Sequence, residues 1–263
     1  MGGAGEELER LRDIIALLRG PEGCPWDREQ THESLRDSLL EEAYEVVEAI
    51  DEGDDERLRE ELGDIFIEAV FHARLAEERG AFSLEEVVRG ANEKLISRHP
   101  HVFGEERVKS AQEVLERWQE RKQRERMEKG EDSSALAGVP KSLPGLMRAE
   151  KLQKRAELAG FVWPAPSMAW EKAEEEWAEL KGALESGERE EIERELGHLL
   201  FALVNAARMM GISAERALRR ANAEFEGRFR RMEKLLAEEG LKLGALSIEE
   251  KMAVWEKVKR GEG

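Results

Sequence analysis

The chain repeats itself, and the repeat limits what it can fold into. Residues 39–74, LLEEAYEVVEAIDEGDDERLREELGDIFIEAVFHAR, lie over residues 173–208, AEEEWAELKGALESGEREEIERELGHLLFALVNAAR, at a constant offset of 134 without a gap. Glu41, Glu42 and Glu45 meet Glu175, Glu176 and Glu179. Gly53 meets Gly187, Glu61-Leu62-Gly63 meets Glu195-Leu196-Gly197, and Asp64 meets His198. After a shorter loop, residues 90–98 meet 220–228, which pairs Asn92 with Asn222, Lys94 with Glu224 and Arg98 with Arg228. Near the end of each half, Trp118 and Lys122 match Trp255 and Lys259. A period this long fits two copies of one domain, not a solenoid. Residues 129–144, rich in Gly, Ser and Pro, read as a linker between a first copy over 1–128 and a second over 145–263.

Each copy reads as helical. Charged residues make up 38% of the chain and aromatics 6%, with only seven prolines, a balance that fits an all-α protein and not a β-sandwich. Apolar periodicity and Gly/Pro punctuation predict helices over 6–19, 31–52, 55–79, 83–97 and 110–129, then over 145–159, 167–186, 188–210, 213–239 and 247–260. Ser83-Leu-Glu-Glu86 has the form of a capping box. The single cysteine, Cys24, excludes an intrachain disulfide framework and fits a reducing compartment. The N-terminal stretch has no apolar core, and no apolar run approaches the ~20 residues of a membrane span. The expectation is a cytoplasmic protein. Its formal net charge of −17 repels nucleic acids and anionic membranes, so neither is expected as a partner. An anionic substrate would need a local basic patch or a bound cation.

The candidate chemistry lies in the repeated segment. At about 100° per residue, Leu39, Ala43, Val46, Val47 and Ile50 form one apolar stripe, and Glu41, Glu42 and Glu45 fall in an arc beside it. On the next helix Leu62, Ile65, Phe66, Ala69 and Val70 form the stripe, flanked by Glu61 and Asp64. The short Asp51–Glu56 link makes the two helices antiparallel neighbours. Packed stripe to stripe, they would bring five carboxylates to one edge of the seam. Half-buried anions this close either protonate or bind cations. Oxygen-only ligands suit a hard ion, Mg²⁺ with Mn²⁺ as a substitute, and Mg²⁺ leaves positions open for phosphate oxygens. Lys94, Arg98 and Lys122 could hold the remaining phosphate charge. The plainer alternative is a solvated acidic face, because E-E-x-x-E is a short pattern in a Glu-rich chain. What favours a site is that these acids border the stripe, whereas Arg57 and Glu60 lie opposite it.

The segments GCPWDREQTHESL, LLEEAYEVVEAI, EELGDIFIEAVFHAR and ANEKLISRHPHVFG, with LPGLMRAEKLQKRAELAGFVW in the second half, closely resemble the MazG family of nucleoside triphosphate pyrophosphohydrolases in its long, two-copy form. The resemblance spans nearly the whole chain. It implies an all-α fold with a four-helix-bundle core in each copy, usually as a homodimer. It also implies Mg²⁺-dependent cleavage of ribo- or deoxyribonucleoside triphosphates between the α- and β-phosphates, in nucleotide-pool control or house-cleaning. Carried over by motif, Glu42, Glu45, Glu61 and Asp64 would hold the metal, and Glu41 would orient a second ion or the attacking water. Lys94, Arg98 and Lys122 would neutralise the triphosphate. Trp118 would stack on the base, and Asn92 would hydrogen-bond the base or sugar.

The second copy departs from the pattern. Glu175, Glu176, Glu179 and Glu195 match, but His198 replaces a hard carboxylate and Glu224 reverses the charge of Lys94. Asn222, Arg228, Trp255 and Lys259 remain, and Lys172 joins them as a further second-copy candidate. Both changes weaken binding of a magnesium–triphosphate complex, so the first copy is expected to carry most of the hydrolysis. Two other readings stand beside the enzyme. One is a non-catalytic nucleotide-binding or regulatory helical protein. The other is a di-iron bundle, which needs a Glu from each of two helices plus Glu-x-x-His from each of two more. Glu195-x-x-His198 and Glu29-x-x-His32 have no symmetric counterparts, which counts against that last reading.

Overall fold

A computed structural model of the chain describes residues 3–261 apart from 129, 131 and 133, and describes no side chain at 112, 116 or 123. Among the described residues there is no strand, and no single helix is long and apolar enough to cross a membrane. The helices are α1 (Ala4–Leu18), α2 (Pro25–Glu29), α3 (Arg36–Glu52), α4 (Asp55–Glu78), α5 (Leu84–Arg98), α6 (Pro100–Phe103), α7 (Ala111–Glu128), α8 (Gly145–Leu158), α9 (Pro166–Ser186), α10 (Arg189–Met209), α11 (Ala214–Glu238) and α12 (Ile248–Arg260). The chain divides into two compact units, Met1–Trp118 and Gln119–Gly263. Three residues of the expected linker lie outside the described residues. In its described part, Ala137 and Val139 are buried and Arg126 donates to the Ala137 carbonyl, all within the second unit.

Each unit is a four-helix group built around one central helix, as the repeat requires. In the first, α4 packs against α1, α3 and α5; in the second, α10 packs against α8, α9 and α11. The central hairpins close alike: Gly53 and Gly187 cap α3 and α9 in the left-handed conformation, at φ 70° and 76°. Only glycine adopts that conformation without a steric cost, and it turns the chain back within two residues. Asp54 then starts α4 by accepting from the Glu56 and Arg57 amides. Ser83 and Glu86 form the expected capping box at α5, and Ser247 with Glu250 forms a second at α12.

Two local expectations change. The helix expected from residue 31 begins at Arg36, because Thr31 and Ser34 bond one another's amides in a polar turn and Ser34 also donates to Gln30. Such side-chain bonds compete with helix at its first turn. The segment before that turn includes a one-turn helix, α2, started by Pro25.

The second change is larger. The two apolar stripes do not simply face one another. Leu62, Phe66 and Ile50 are exposed, whereas Glu61 and Glu68 are buried at 8% exposure each. The inward face of α4 carries Glu61, Glu68, Val70, Phe71, Ala73, Leu75 and Ala76. Apolar packing concentrates toward its C-terminal half, where Ile15, Leu35, Val70, Phe71 and Leu75 form one cluster.

Arg19 ties that apolar end together. Its side chain is 7% exposed, its Nη2 lies 2.8 Å from Glu78 Oε2, and its guanidinium sits over the Phe71 ring at 5.3 Å. It also donates to the Asp27 and Gln30 carbonyls, so one side chain joins α1, the loop around α2, and α4. Arg74 also donates to Glu78 Oε1 at 2.9 Å, so removing the buried Arg19 leaves the Gln30 carbonyl and Glu78 Oε2 without their donor. Arg19→Ala is expected to cost about 3 kcal/mol of unfolding free energy, read from a urea melt, with the main loss in the first unit.

Candidate active site

The α3–α4 hairpin sets Glu42 and Glu45 against Glu61. One carboxylate oxygen of each lies within 4.8 Å of the others. Unlike charges in water, these cannot separate, because both helices are fixed by the Gly53–Asp54 turn. Burial raises the Glu42 carboxyl above its usual range, and the charges of Asp64, Glu45, Glu61 and Glu68 raise it further. The charge of Glu61, and a hydrogen bond shared with it, raise Glu45. Asp64 therefore acts on the group through Glu42, although it stands outside the 4.8 Å set. Glu41 is exposed at the margin and adds to the repulsion on Glu45.

The cation paired with the cluster among the described residues is Arg57, which the sequence placed on the opposite face. It reaches Glu61 at 3.3 Å and also holds Glu48 at 3.1 Å and Glu52 at 2.9 Å. One guanidinium shared among three carboxylates leaves the cluster short of positive charge. Among the described residues no cation forms an ion pair with Glu42 or Glu45. Dense oxygen ligands, a deficit of cation and raised carboxyls fit a hard divalent ion.

Sequence reasoning missed Glu68. It accepts from the Ser38 hydroxyl at 2.7 Å, and its other oxygen is buried without a hydrogen-bond partner. The signal was present: Glu61, Asp64 and Glu68 are spaced i, i+3, i+7 and so share one helix face. Beside it His32 and His72 stack with ring centroids 5.1 Å apart, and burial lowers the His72 imidazole.

The other first-copy candidates are spread over α5 and α7. Asn92 and Lys94 are exposed on α5. Arg98, at the end of α5, lies over the Trp118 ring at 5.5 Å, a cation–π pair that joins two of the candidates. Lys122 lies one turn past Trp118 on α7, within the second unit. Trp26, on the short α2 before α3, is 63% exposed.

The second unit answers the same crowding with its own cations. Lys172 Nζ lies 2.8 Å from Glu175 and 2.9 Å from Glu176, and both bonds raise the ammonium well above its usual range. Arg194 bonds Glu195 at 2.8 Å, and His198 approaches Glu195 and Glu176 at 3.1 and 3.6 Å. Hydrogen bonding from Arg194 holds the Glu195 carboxyl below its usual range, opposite in sign to Glu42 and Glu45. Glu224 accepts from Arg228 at 3.1 Å, so the reversed charge also engages the retained arginine. Asn222 is exposed, Trp255 packs on Phe225 with centroids 5.3 Å apart, and Lys259 lies 3.7 Å from Glu256. No ion pair of Glu179 occurs among the described residues.

Comparison with known proteins agrees with the duplicated carboxylate hairpin. The profile of the MazG nucleotide pyrophosphohydrolase domain matches this chain twice, over residues 30–103 and 167–232. The chain belongs to the MazG family. Similar proteins match nearly its full length. It is 46% identical to the nucleoside triphosphate pyrophosphohydrolase/pyrophosphatase MazG of Thermotoga maritima, over 98% of each chain. It is 42% identical to the nucleoside triphosphate pyrophosphohydrolase of Escherichia coli K12, over 97% of this chain and 98% of that one. Both MazG matches contain their carboxylate hairpin, including the divergent one with His198.

The raised carboxyls carry a pH consequence. An acid whose pKa is higher in the folded state binds more protons there, so stability falls as pH rises through the interval above its unfolded value. In chelator at neutral pH, Glu42→Gln is therefore expected to melt at a higher temperature than the parent chain. The difference is expected to close as pH falls into the carboxylate range, read by thermal melts across pH. A lower melting temperature for Glu42→Gln at neutral pH would contradict the charge deficit.

Proposed function

We propose that this chain is a nucleoside triphosphate pyrophosphohydrolase whose first copy carries the reaction with Mg²⁺, Mn²⁺ serving as a substitute. It cuts the α–β phosphoanhydride bond of ribo- or deoxyribonucleoside triphosphates, giving the monophosphate and pyrophosphate, in nucleotide-pool control or house-cleaning. The names of relatives that match it almost end to end support the activity. The observation that carries the assignment to the first copy is the difference in charge: among the described residues no cation pairs with Glu42 or Glu45, burial with neighbouring carboxylates raises Glu42, and the charge of Glu61 raises Glu45, whereas Glu195 is bonded and lowered by Arg194.

In this reading Glu42, Glu45, Glu61 and Asp64 hold the ion. A dication held by these carboxylates would supply charge neutralisation and acidify the water that attacks. Glu41, exposed at the margin, orients the attacking water. As the bond to the leaving oxygen breaks, negative charge grows on pyrophosphate, and Lys94 and Arg98 stabilise it. Trp118 offers a flat face to the base, with Arg98 already stacked on it, and Asn92 offers an amide to the base or sugar.

We further propose a homodimer. In the first unit Leu62, Phe66 and Ile67 on α4 and Leu95 and Ile96 on α5 are all more than 40% exposed. Large apolar side chains exposed on two neighbouring helices call for a covering partner, and a second copy of the chain is the one the family resemblance implies. A cytoplasmic location accompanies this reading, supported by the lone free Cys24.

The deciding assay offers a panel of nucleoside triphosphates with Mg²⁺ and follows pyrophosphate against single phosphate. Glu42→Gln and Glu61→Gln are each expected to lower kcat by about 100-fold or more, which corresponds to about 3 kcal/mol of lost charge stabilisation. Glu176→Gln is expected to leave most of the rate. Release of single phosphate, or loss of turnover in Glu176→Gln alone, would overturn the assignment.

A further inference from the structure

The second unit's cluster is arranged differently from a mere internal ion pair. Each of two glutamates gives its outer oxygen to a cation and turns its inner oxygen to an imidazole. Lys172 holds Glu176 Oε1 at 2.9 Å, and Arg194 holds Glu195 Oε1 at 2.8 Å. The inner atoms, Glu176 Oε2 and Glu195 Oε2, lie 3.6 and 3.1 Å from His198 Nδ1. Glu176 is only 7% exposed, and its Oε2 is buried without a hydrogen-bond partner. A buried carboxylate oxygen left without a donor is costly unless a cation reaches it.

The spacing has a second meaning. In a tetrahedral zinc centre, with bonds of about 2.0–2.1 Å, neighbouring donor atoms are about 3.3–3.4 Å apart. The two separations bracket that value, and all three donor atoms lie within 4.8 Å of one another. We infer that Glu176, Glu195 and His198 form a three-ligand site for a transition-metal dication of the Zn²⁺ class, in place of the hard-ion site proposed for the first copy.

Ligand chemistry explains the exchange of Asp64 for His198. Imidazole nitrogen favours Zn²⁺ over Mg²⁺, which prefers oxygen alone. Lys172 and Arg194 do not compete with the metal, because they bond the oxygens that face away from the imidazole. They hold the two carboxylates in ligating orientation, as outer partners do in zinc sites. His198 is 54% exposed, which gives the ion a way in. The site borders a cleft of about 680 Å³ whose walls include Trp163, Asn205 and Gln153. Gln153 donates to the Phe201 carbonyl at 2.7 Å, which fixes its amide and leaves its buried Oε1 unpartnered at the cleft. Three protein ligands beside an open cleft is the pattern of a zinc with an exchangeable fourth position, not of a closed structural one.

The test uses the full chain carrying Glu42→Gln and Glu61→Gln, which silences the first cluster. The protein is stripped with chelator and titrated with Zn²⁺, and separately with Co²⁺ as a spectroscopic probe. One dication per chain is expected, with the intense visible absorption of tetrahedral Co²⁺. Adding His198→Ala is expected to weaken binding by about 100-fold or more, since even outer partners are worth 10- to 100-fold. His198→Asp is expected to shift the preference back toward Mg²⁺. Binding unchanged in His198→Ala, or only the weak absorption of octahedral Co²⁺, would overturn the inference. If the double variant does not fold, the Co²⁺ spectrum of the otherwise unaltered chain, with and without His198→Ala, gives the same decision. None of these outcomes bears on turnover at the first copy, so the two proposals fail separately.

Discussion

Carboxylates that cannot move apart are the constraint on which the rest of this molecule depends. A two-residue turn, with glycine in the left-handed conformation, pins α3 against α4 and α9 against α10. The register of each hairpin then forces acidic side chains from both helices into one seam. Repulsion at that distance must be met by protons, by a bound ion or by resident cations. The two units meet it differently while keeping one scaffold. The first keeps raised carboxyls and a single shared arginine; the second carries Lys172, Arg194 and His198 within bonding distance.

The cost of the first solution is placed where the fold can bear it. Apolar packing is concentrated at the far half of α4, around Ile15, Phe71 and Leu75, and Arg19 clamps that end. The acidic half has little apolar packing of its own. A protein that stabilises one end of a helix while leaving the other electrostatically strained is of the kind expected when local rules are broken at a functional site.

Much of this was legible in the sequence. The repeat gave two units, and periodicity with Gly, Pro and capping signals gave helix limits within a few residues, apart from the start of α3. Capping boxes and the left-handed glycines follow local rules that one chain displays in full. What periodicity could not give was which face of α4 turns inward. A stripe of Leu62 and Phe66 looks like core, yet a single copy leaves it exposed and buries Glu61 and Glu68. Long side chains were also hard to place. Arg57 reaches around its helix to Glu61, and Glu224 engages Arg228 one turn along α11, a pairing that alignment of the copies shows only as a lost lysine.

One pair of exchanges carries a further consequence. Where the first copy has Ser38 donating to Glu68, the second has Lys172 and Ala202 at the same offset of 134. Replacing Ser by Lys adds one positive charge and replacing Glu by Ala removes one negative charge, a net shift equal to the charge of one divalent ion. A tethered ammonium has a local concentration set by its covalent attachment, not by the surrounding solution. Glu175 and Glu176 in the second copy thus keep a counter-charge whatever the supply of free ions. The first copy has only Arg57, shared among Glu48, Glu52 and Glu61, so its electrostatic state follows more closely the ions around it.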